Sequence, residues 1–441
     1  MLRKDPSLPF PDTACSRREL VDFFNTSLAP GASPDDPISA ANVKTMRYAP
    51  GRECVVLYEL DPQGEAADRP AWAVATFSRL GVLRAASERH RAQPGAPAGR
   101  AALLPDYQCL IELFPHDWRL PSLRAAADPQ QAWSLLAQAS ERVASTGPLP
   151  VEVDVVRYRP HVSCVFRYRL LPDAGGTEPQ VIGKVYRAAG KAERVRACLE
   201  HLRRPGERGL HIPEPLALLT GSNLLLMEHA SGRSLGRVLK DATAEEVSEV
   251  ARLAAVVLAT FHSLPVTGQR IAAPASDPRR LRASIARVDL VAPELASRML
   301  AVLDAILRRL DTSPTPVVIH GDFKPSQLLL DGDRVAVVDF DRAGLGDPAV
   351  DVGSFMAQFH KEALDEERSY LRRLAPLFLT AYQEHDVVDA LAERARLHQS
   401  LALVRMAVRR FFRAPYSYAR LGGTSPQVRL LEEAAACLAR T

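Results

Sequence analysis

The sequence has little that would send it into or across a membrane. Its first twenty residues mix charge with proline and hold no apolar h-region, and no uninterrupted run of eighteen apolar residues occurs in the 441. Neither secretion nor membrane spanning is indicated, so a cytoplasmic location and no membrane partner are expected. The six cysteines (Cys15, Cys54, Cys109, Cys164, Cys198, Cys437) have no CxxC spacing, which fits reduced, buried thiols better than a disulfide framework or a zinc site. There is also no Lys/Arg block. The formal net charge is only +4 and the arginines are spread along the chain, so nucleic acid is not an expected partner.

What is present is ordinary globular material, 47% hydrophobic and 24% charged, long enough for two or three lobes with cores of their own. Within it lies an internal repeat. Residues 47–60 (RYAPGRECVVLYEL) align without a gap to 157–170 (RYRPHVSCVFRYRL), with half of the positions identical. Each copy reads as strand, Pro-containing turn and strand, followed by a third strand at 72–77 in the first copy and 181–186 in the second. More loosely, Leu110-Ile111-Glu112 resembles Leu226-Met227-Glu228. The first half therefore reads as a duplicated β-rich lobe. At one node the copies differ: aligning Arg79 with Arg187 sets Thr76 opposite Lys184, and only the second copy has a cation for a nucleotide phosphate.

Residues 84–100 read as an exposed helix-loop and 132–144 as a short amphipathic helix, leading to Pro/Gly punctuation at 147–150 that suggests a domain boundary. Beyond 230 the periodicity turns helical, at 245–264, 281–310, 365–384 and 388–412. The expected organisation is a degenerate lobe at 1–150, a small sheet lobe at 151–229 and a helical lobe at 230–441.

The strongest signal interrupts that helical half. VVIHGDFKPSQLLL (317–330) is followed, after a turn at Asp331-Gly332-Asp333, by VAVVDFD (335–341). Apolar strands flanking polar loops set two carboxylates and an amide at neighbouring strand ends. Phosphoryl transfer asks the protein for an acceptor hydroxyl held in line, a divalent metal on the phosphates and cations to offset charge. Asp322 is suited to take or orient the hydroxyl proton, Asp339 to hold Mg²⁺, and the Gln327 carbonyl to serve as a further hard ligand. Asp341 stands evenly between metal shell and structural role. His320 reads as structural, and Asp351 as a helix cap that braces the loop.

HGDFKPSQLLL with VVDFDRAGLGDPAVD resembles the catalytic and metal-binding loops of the aminoglycoside phosphotransferase and choline kinase superfamily, itself similar in fold to protein kinases. The resemblance covers about residues 151–360. It implies an α+β bilobal fold, with an antiparallel sheet lobe and a mainly helical lobe, here preceded by the degenerate repeat. It implies ATP and Mg²⁺ as cofactors, Asp322 as catalytic aspartate, Asp339 as principal magnesium ligand and Lys184 as the strand lysine on the α and β phosphates. Glu193 is then the expected ion-pair partner of Lys184, with Glu200 as the alternative, and Glu228-His229 belong to the hinge whose backbone holds adenine. Lys324 stands where related kinases place a lysine beside the aspartate.

Two departures stand out. The family usually has asparagine where this chain has Gln327, which moves the amide by about one carbon–carbon bond, roughly 1.5 Å. The turn that should cover the phosphates, 159–163, has no GxGxxG, leaving Ser163 and backbone N–H groups as contacts. The expected activity is transfer of the γ-phosphate to a hydroxyl of a small molecule. From residue 394 onward there are nine arginines and two glutamates, which favours a sugar-like, neutral or anionic acceptor over a polycationic aminoglycoside; the alternative is a solvated helix face. A nucleotide-binding pseudokinase, an antibiotic kinase and a protein kinase are the other readings, the last disfavoured because no Ala-Pro-Glu motif follows Asp339. The degenerate lobe is read as a regulatory, dimerising or lid element, a homodimer being one arrangement it allows.

Overall fold

The computed structural model describes residues 2–5, 7–8, 38–62, 71–92, 100–139, 150–171, 179–202, 209–265, 278–310, 315–385 and 391–440. The expected boundary at 147–150 lies almost wholly outside them.

The first sheet contains β1 (Ile38–Ala49), β2 (Glu53–Pro62), β3 (Ala71–Ser78), β4 (Ala101–Leu104) and β5 (Cys109–Leu113), with α1 (Leu80–Arg91) after β3. Its strand order is β1-β2-β3-β5-β4. Two short helices, α2 (Leu123–Ala127) and α3 (Pro129–Ala139), lead to a second sheet of β6 (Val151–Arg159), β7 (Ser163–Leu170) and β8 (Gln180–Tyr186). Helix α4 (Ala189–Leu202) and the two-residue β9 (Leu210–His211) precede β10 (Pro215–Leu219) and β11 (Leu224–Glu228). The second sheet, read from its other edge, runs β6-β7-β8-β11-β10, the same order as the first with a helix in the same place. The duplication seen in fourteen residues therefore extends over a five-stranded lobe. Registers match too: Tyr48 pairs with Cys54 as Tyr158 does with Cys164. The looser alignment is off by one residue, because register sets Glu112 against Met227, not Glu228.

One further device is repeated. Asp5 accepts hydrogen bonds from Tyr48 Oη (2.6 Å) and the Gly51 amide (2.9 Å), and Asp117 accepts from Tyr158 Oη (2.9 Å) and the His161 amide (2.8 Å). Each hairpin turn is thus anchored by an aspartate far upstream in the chain. Tyr168 Oη, in β7, also donates to the carbonyl of Ala126 at the end of α2. Helices α2 and α3 pack on the second sheet, through Leu123, Ala126, Ala132 and Leu136.

The copies differ in what their strands bury. In β2, Cys54, Val55, Val56, Leu57 and Tyr58 are all buried, whereas β7 alternates, with Arg167 and Arg169 half-buried. A strand apolar at successive positions needs cover on both faces. Val56, Tyr58, Ala73 and Ala75 share a core with helices of the second half, through Ile285, Val404 and Phe411 among others, while Val55, Leu57 and Val74 share one with Phe166 and Tyr168 of the second sheet. The first sheet is wedged between the second sheet and the helical lobe.

The helical lobe contains α5 (Leu235–Asp241), α6 (Ala244–His262), α7 (Pro278–Asp289), α8 (Pro293–Leu307), α9 (Ala349–Asp365), α10 (Leu374–Gln383), α11 (Leu391–Arg413), α12 (Pro415–Leu421) and α13 (Pro426–Ala439). Thr243 and Glu246 close a reciprocal capping box on α6. Two expected helices divide. The stretch 281–310 breaks before Pro293, where Ala292 leaves helical geometry. The stretch 365–384 is interrupted after α9, where Glu367 takes a positive φ of 54°, and α10 starts only at Leu374. Short strands complete the lobe: β12 (Arg233–Ser234), β13 (Val317–Ile319), the hairpin β14 (Leu328–Asp331) and β15 (Arg334–Val337), and β16 (Gly344–Gly346). Among the described residues no helix is long and apolar enough to cross a membrane.

Candidate active site

Strand β13 delivers the chain to His320 and Gly321. Gly321 has φ +74°, and a Cβ there would lie 2.5 Å from the Arg342 carbonyl oxygen, so any side chain would push the two loops apart. Asp351, fully buried in the first turn of α9, accepts from the amides of His320 and Gly321 and lies 3.3 Å from His262 Nε2. It braces the loop as expected, but it does not cap its helix; Asp347 accepts from the Ala349 amide instead. The His320 ring spans both loops, with Nδ1 toward the Asp322 amide and Nε2 toward the Val338 carbonyl. An Nε2–H tautomer satisfies both contacts.

These braces fix Asp322, whose carboxylate receives a hydrogen bond from Lys324. Burial works to raise the Asp322 pKa, but Lys324 and then Arg409 and Arg342 outweigh it and hold the group below the ordinary carboxylate value. Asp339 lies in the left-handed region at φ +70°, an uncommon conformation for a residue with a side chain.

Lys184 reaches this loop from the middle of the second sheet. Its Nζ lies 2.8 Å from Asp339 Oδ1 and 2.7 Å from Asp341 Oδ1. Burial acts to lower the Lys184 pKa, and the two carboxylates overcome it, so the ammonium is held above its usual value. Asp339 shows the converse: burial opposes ionisation, and Lys184 drives the carboxyl well below its usual range. Asp341 also receives Lys191 Nζ at 2.6 Å and Tyr186 Oη at 2.9 Å. Gln327 donates its side-chain N–H to Asp339 Oδ2 at 3.0 Å.

Lys184, Asp339, Asp341 and Gln327 thus converge, with Asp322 and Lys324 on the adjoining loop. The expected Glu193–Lys184 pair does not form. Glu193 is exposed, because the face of α4 turned to the sheet carries Ala192, Val195 and Leu199, and Glu200 pairs with Arg196 on the surface. Lys191 and Arg194 of α4, which no sequence pattern singles out, face the segment at Asp341 and Ala343 instead.

The Glu228 amide is taken by the Glu214 carbonyl at 2.8 Å, and its carboxylate accepts from the Glu214 amide. His229 follows the strand, half-buried. Ser163 is buried at the base of the 159–163 turn. In that turn His161 has φ +64° where the first copy has Gly51 at φ +72°. His161 Nε2 lies 3.2 Å from Glu112 of the first sheet, and Glu112, Asp117 and His161 form a tight buried cluster.

A model of the phosphotransferase enzyme family matches residues 166–391, which includes Lys184, both loops and the helices that brace them. The chain belongs to this phosphotransferase family. Its fold is accordingly the bilobal α+β fold of kinase-like phosphotransferases, with the added sheet before it. Among solved structures it is similar to aminoglycoside phosphotransferase APH(4)-Ia (17% identity, TM-score 0.45, covering 69% of this chain and 98% of that one). It is also similar to macrolide 2'-phosphotransferase MphH from Brachybacterium faecium (21%, 0.40, 69% and 97%) and to ADP-bound aminoglycoside phosphotransferase APH(2'')-Ib (14%, 0.42, 68% and 96%). No curated protein sequence gives a significant match.

Proposed function

We propose that this phosphotransferase is a small-molecule kinase that uses ATP and Mg²⁺ to phosphorylate an alcohol. The observation that supports it most is the meeting of Lys184, from the sheet, with Asp339 and Gln327, from the helical lobe, at a junction flanked by Asp322. Asp339, Asp341 and the Gln327 amide make a set of hard oxygen donors of the kind Mg²⁺ takes, and the carboxyls are held ionised. With its amide turned over, Gln327 presents oxygen where it now presents N–H. Asp339, Asp341 and Gln327 would hold such a cation, which would supply positive charge against the phosphates.

On this reading Lys184 moves from the carboxylates to the α and β phosphates, and the 228–229 segment meets the adenine through its backbone. Asp322 orients the acceptor hydroxyl and takes its proton as the oxygen bonds to the γ-phosphorus. The bond to the β–γ bridging oxygen breaks, and ADP leaves with that electron pair. Lys324, tied to Asp322, offsets charge on the transferring group. The test is Mg·ATP turnover by the wild type and Asp322→Asn against sugars, amino alcohols, nucleosides and aminoglycosides. Acceptor-stimulated turnover that falls by about two or more orders of magnitude in the variant supports the reading. Nucleotide binding with no turnover on any acceptor, indifferent to the variant, would replace it with a regulatory nucleotide-binding module.

The first sheet acts, on the same reading, as a brace for the phosphate-covering turn. Three contacts support this: Glu112 lies against His161, Trp72 stacks on Tyr158 at 6.2 Å between centroids, and Arg119 bonds Glu53 at 3.1 Å. Because both faces of the sheet are covered by its own chain, the bracing role is favoured over dimerisation.

A further inference from the structure

Arginines crowd the acceptor side of Asp322. Arg405, Arg409 and Arg413 recur every fourth residue along α11, which places them on one helix face. Arg342 joins them from the loop after Asp341, and Arg159 from the phosphate-covering turn; Arg409 lies within electrostatic reach of Asp322, Arg342, Arg413 and Arg159. Arg405 lies within reach of Arg342, Arg409 and Asp322, and its Nη2 is buried with no hydrogen-bond partner. Two other arginines of this helix are paired, Arg394 with Asp347 and Arg410 with Asp365. Among the described residues, none of Arg159, Arg342, Arg405, Arg409 and Arg413 has an ion pair.

An unpaired buried guanidinium N–H among like charges is costly to the folded protein. It is tolerated where a counter-charge arrives from outside. By contrast, the cleft of about 460 Å³ lined by Lys324 and Ser326 has acids that are already engaged: Glu362 pairs with Lys361 and Glu366 faces Lys240. Among the described residues that line it, a cationic acceptor finds no free carboxylate.

We propose that the acceptor carries an anionic group, a phosphate monoester or a carboxylate, which docks on Arg405 and Arg409 with Arg342 while its hydroxyl faces Asp322. The proposal rests on the reading of Asp322 as the acceptor-side aspartate. Guanidinium forks suit such oxyanions because they donate two parallel hydrogen bonds. A nucleotide phosphate is the other source of the same chemistry, since Arg159 also senses Asp339 and Asp341.

The experiment uses the full chain and its Arg405→Met and Arg405→Lys variants. Turnover is measured on a hexose, its phosphate monoester and its aldonic acid. In parallel, binding of inorganic phosphate is measured by calorimetry with Mg·AMP-PNP saturating the nucleotide site. The expected result is preference for an anionic member, an acceptor KM raised about ten- to hundred-fold in Arg405→Met, partial recovery in Arg405→Lys and an unchanged KM for ATP. Equal use of the neutral hexose, or a change in the ATP constant alone, would overturn the proposal; the latter hands the arginines to the nucleotide. If no acceptor turns over, the kinase reading fails separately and calorimetry decides: phosphate binding lost in Arg405→Met sustains the anion site, and no binding to the wild type removes it.

Discussion

Thr76 and Lys184 occupy the same node of two sheets with one strand order: Val55 pairs with Thr76 as Val165 pairs with Lys184. The lysine has two carboxylates within 2.8 Å, while the threonine hydroxyl is buried with no hydrogen-bond partner. Replacing Thr76 by valine removes that unsatisfied hydroxyl, so the variant should be more stable by about 1 kcal/mol, read as a rise in the thermal midpoint with activity unchanged. Lys184→Met should abolish phosphate transfer while leaving Asp339 without its ammonium partner and Asp341 with Lys191 alone; loss of stability and of nucleotide affinity together would be seen by calorimetry.

Asp117 ties down the turn over the proposed phosphate site. Truncation to alanine leaves Tyr158 Oη and the His161 amide without their acceptor, at a cost of about 1–3 kcal/mol for each buried group. Asp117→Ala should raise the ATP KM more than the acceptor KM in steady-state kinetics. An unchanged ATP constant in a folded variant would show that the turn needs no such anchor.

Glu112 makes stability depend on pH in an unusual direction. Burial, partly offset by His161, pushes its carboxyl up to about 7 from an ordinary 4.5. Between those values the folded state holds the proton that the unfolded state has released, so this contribution is full below about 4.5 and is lost as pH rises through about 7. The loss is on the order of 2–3 kcal/mol. Urea denaturation at about pH 5.5 and about pH 8, either side of the folded value, should show the decline in the wild type and a flatter response in Glu112→Gln. Parallel responses of the two proteins would remove Glu112 as the cause.

Helices α9 and α11 touch at Gly353, where a Cβ would meet the Ala395 carbonyl and the Gln399 amide at 2.5 Å. One helix carries Asp351 under the His320 loop and the other carries Arg405. Gly353→Ala should force them apart, lowering stability by about 1–3 kcal/mol and weakening the acceptor constant more than the nucleotide constant. Unaltered stability would mean that the helices separate freely.

The loops around Asp322 and Asp339 were legible because their chemistry is local: a few contiguous residues fix strand, turn and carboxylate. The repeat was legible for the same reason, as hairpin register follows from alternation and turn. Glu193 misled because a helix after the lysine strand suggests a glutamate partner, whereas the rotation of α4 is set by Ala192 and Val195 packing inward. Glu112, Asp117 and the Asp5 anchor were not readable, since each acts across a long stretch of chain that no local pattern links. The unpaired state of the arginines was not readable either, because the sequence shows arginines without showing which acids lie nearby.

The wedged first sheet also limits travel. In a two-bodied molecule the cleft opens about a single connecting segment; here Val56 and Tyr58 press on one wall while Val55 and Leu57 press on the other. Any widening has to slide one of these apolar contacts and bring hydrocarbon into water, so resistance should climb with the angle instead of staying flat. The molecule should then behave as a sprung jaw with a short stroke, stiff at the hinge because the wedge is held on both faces.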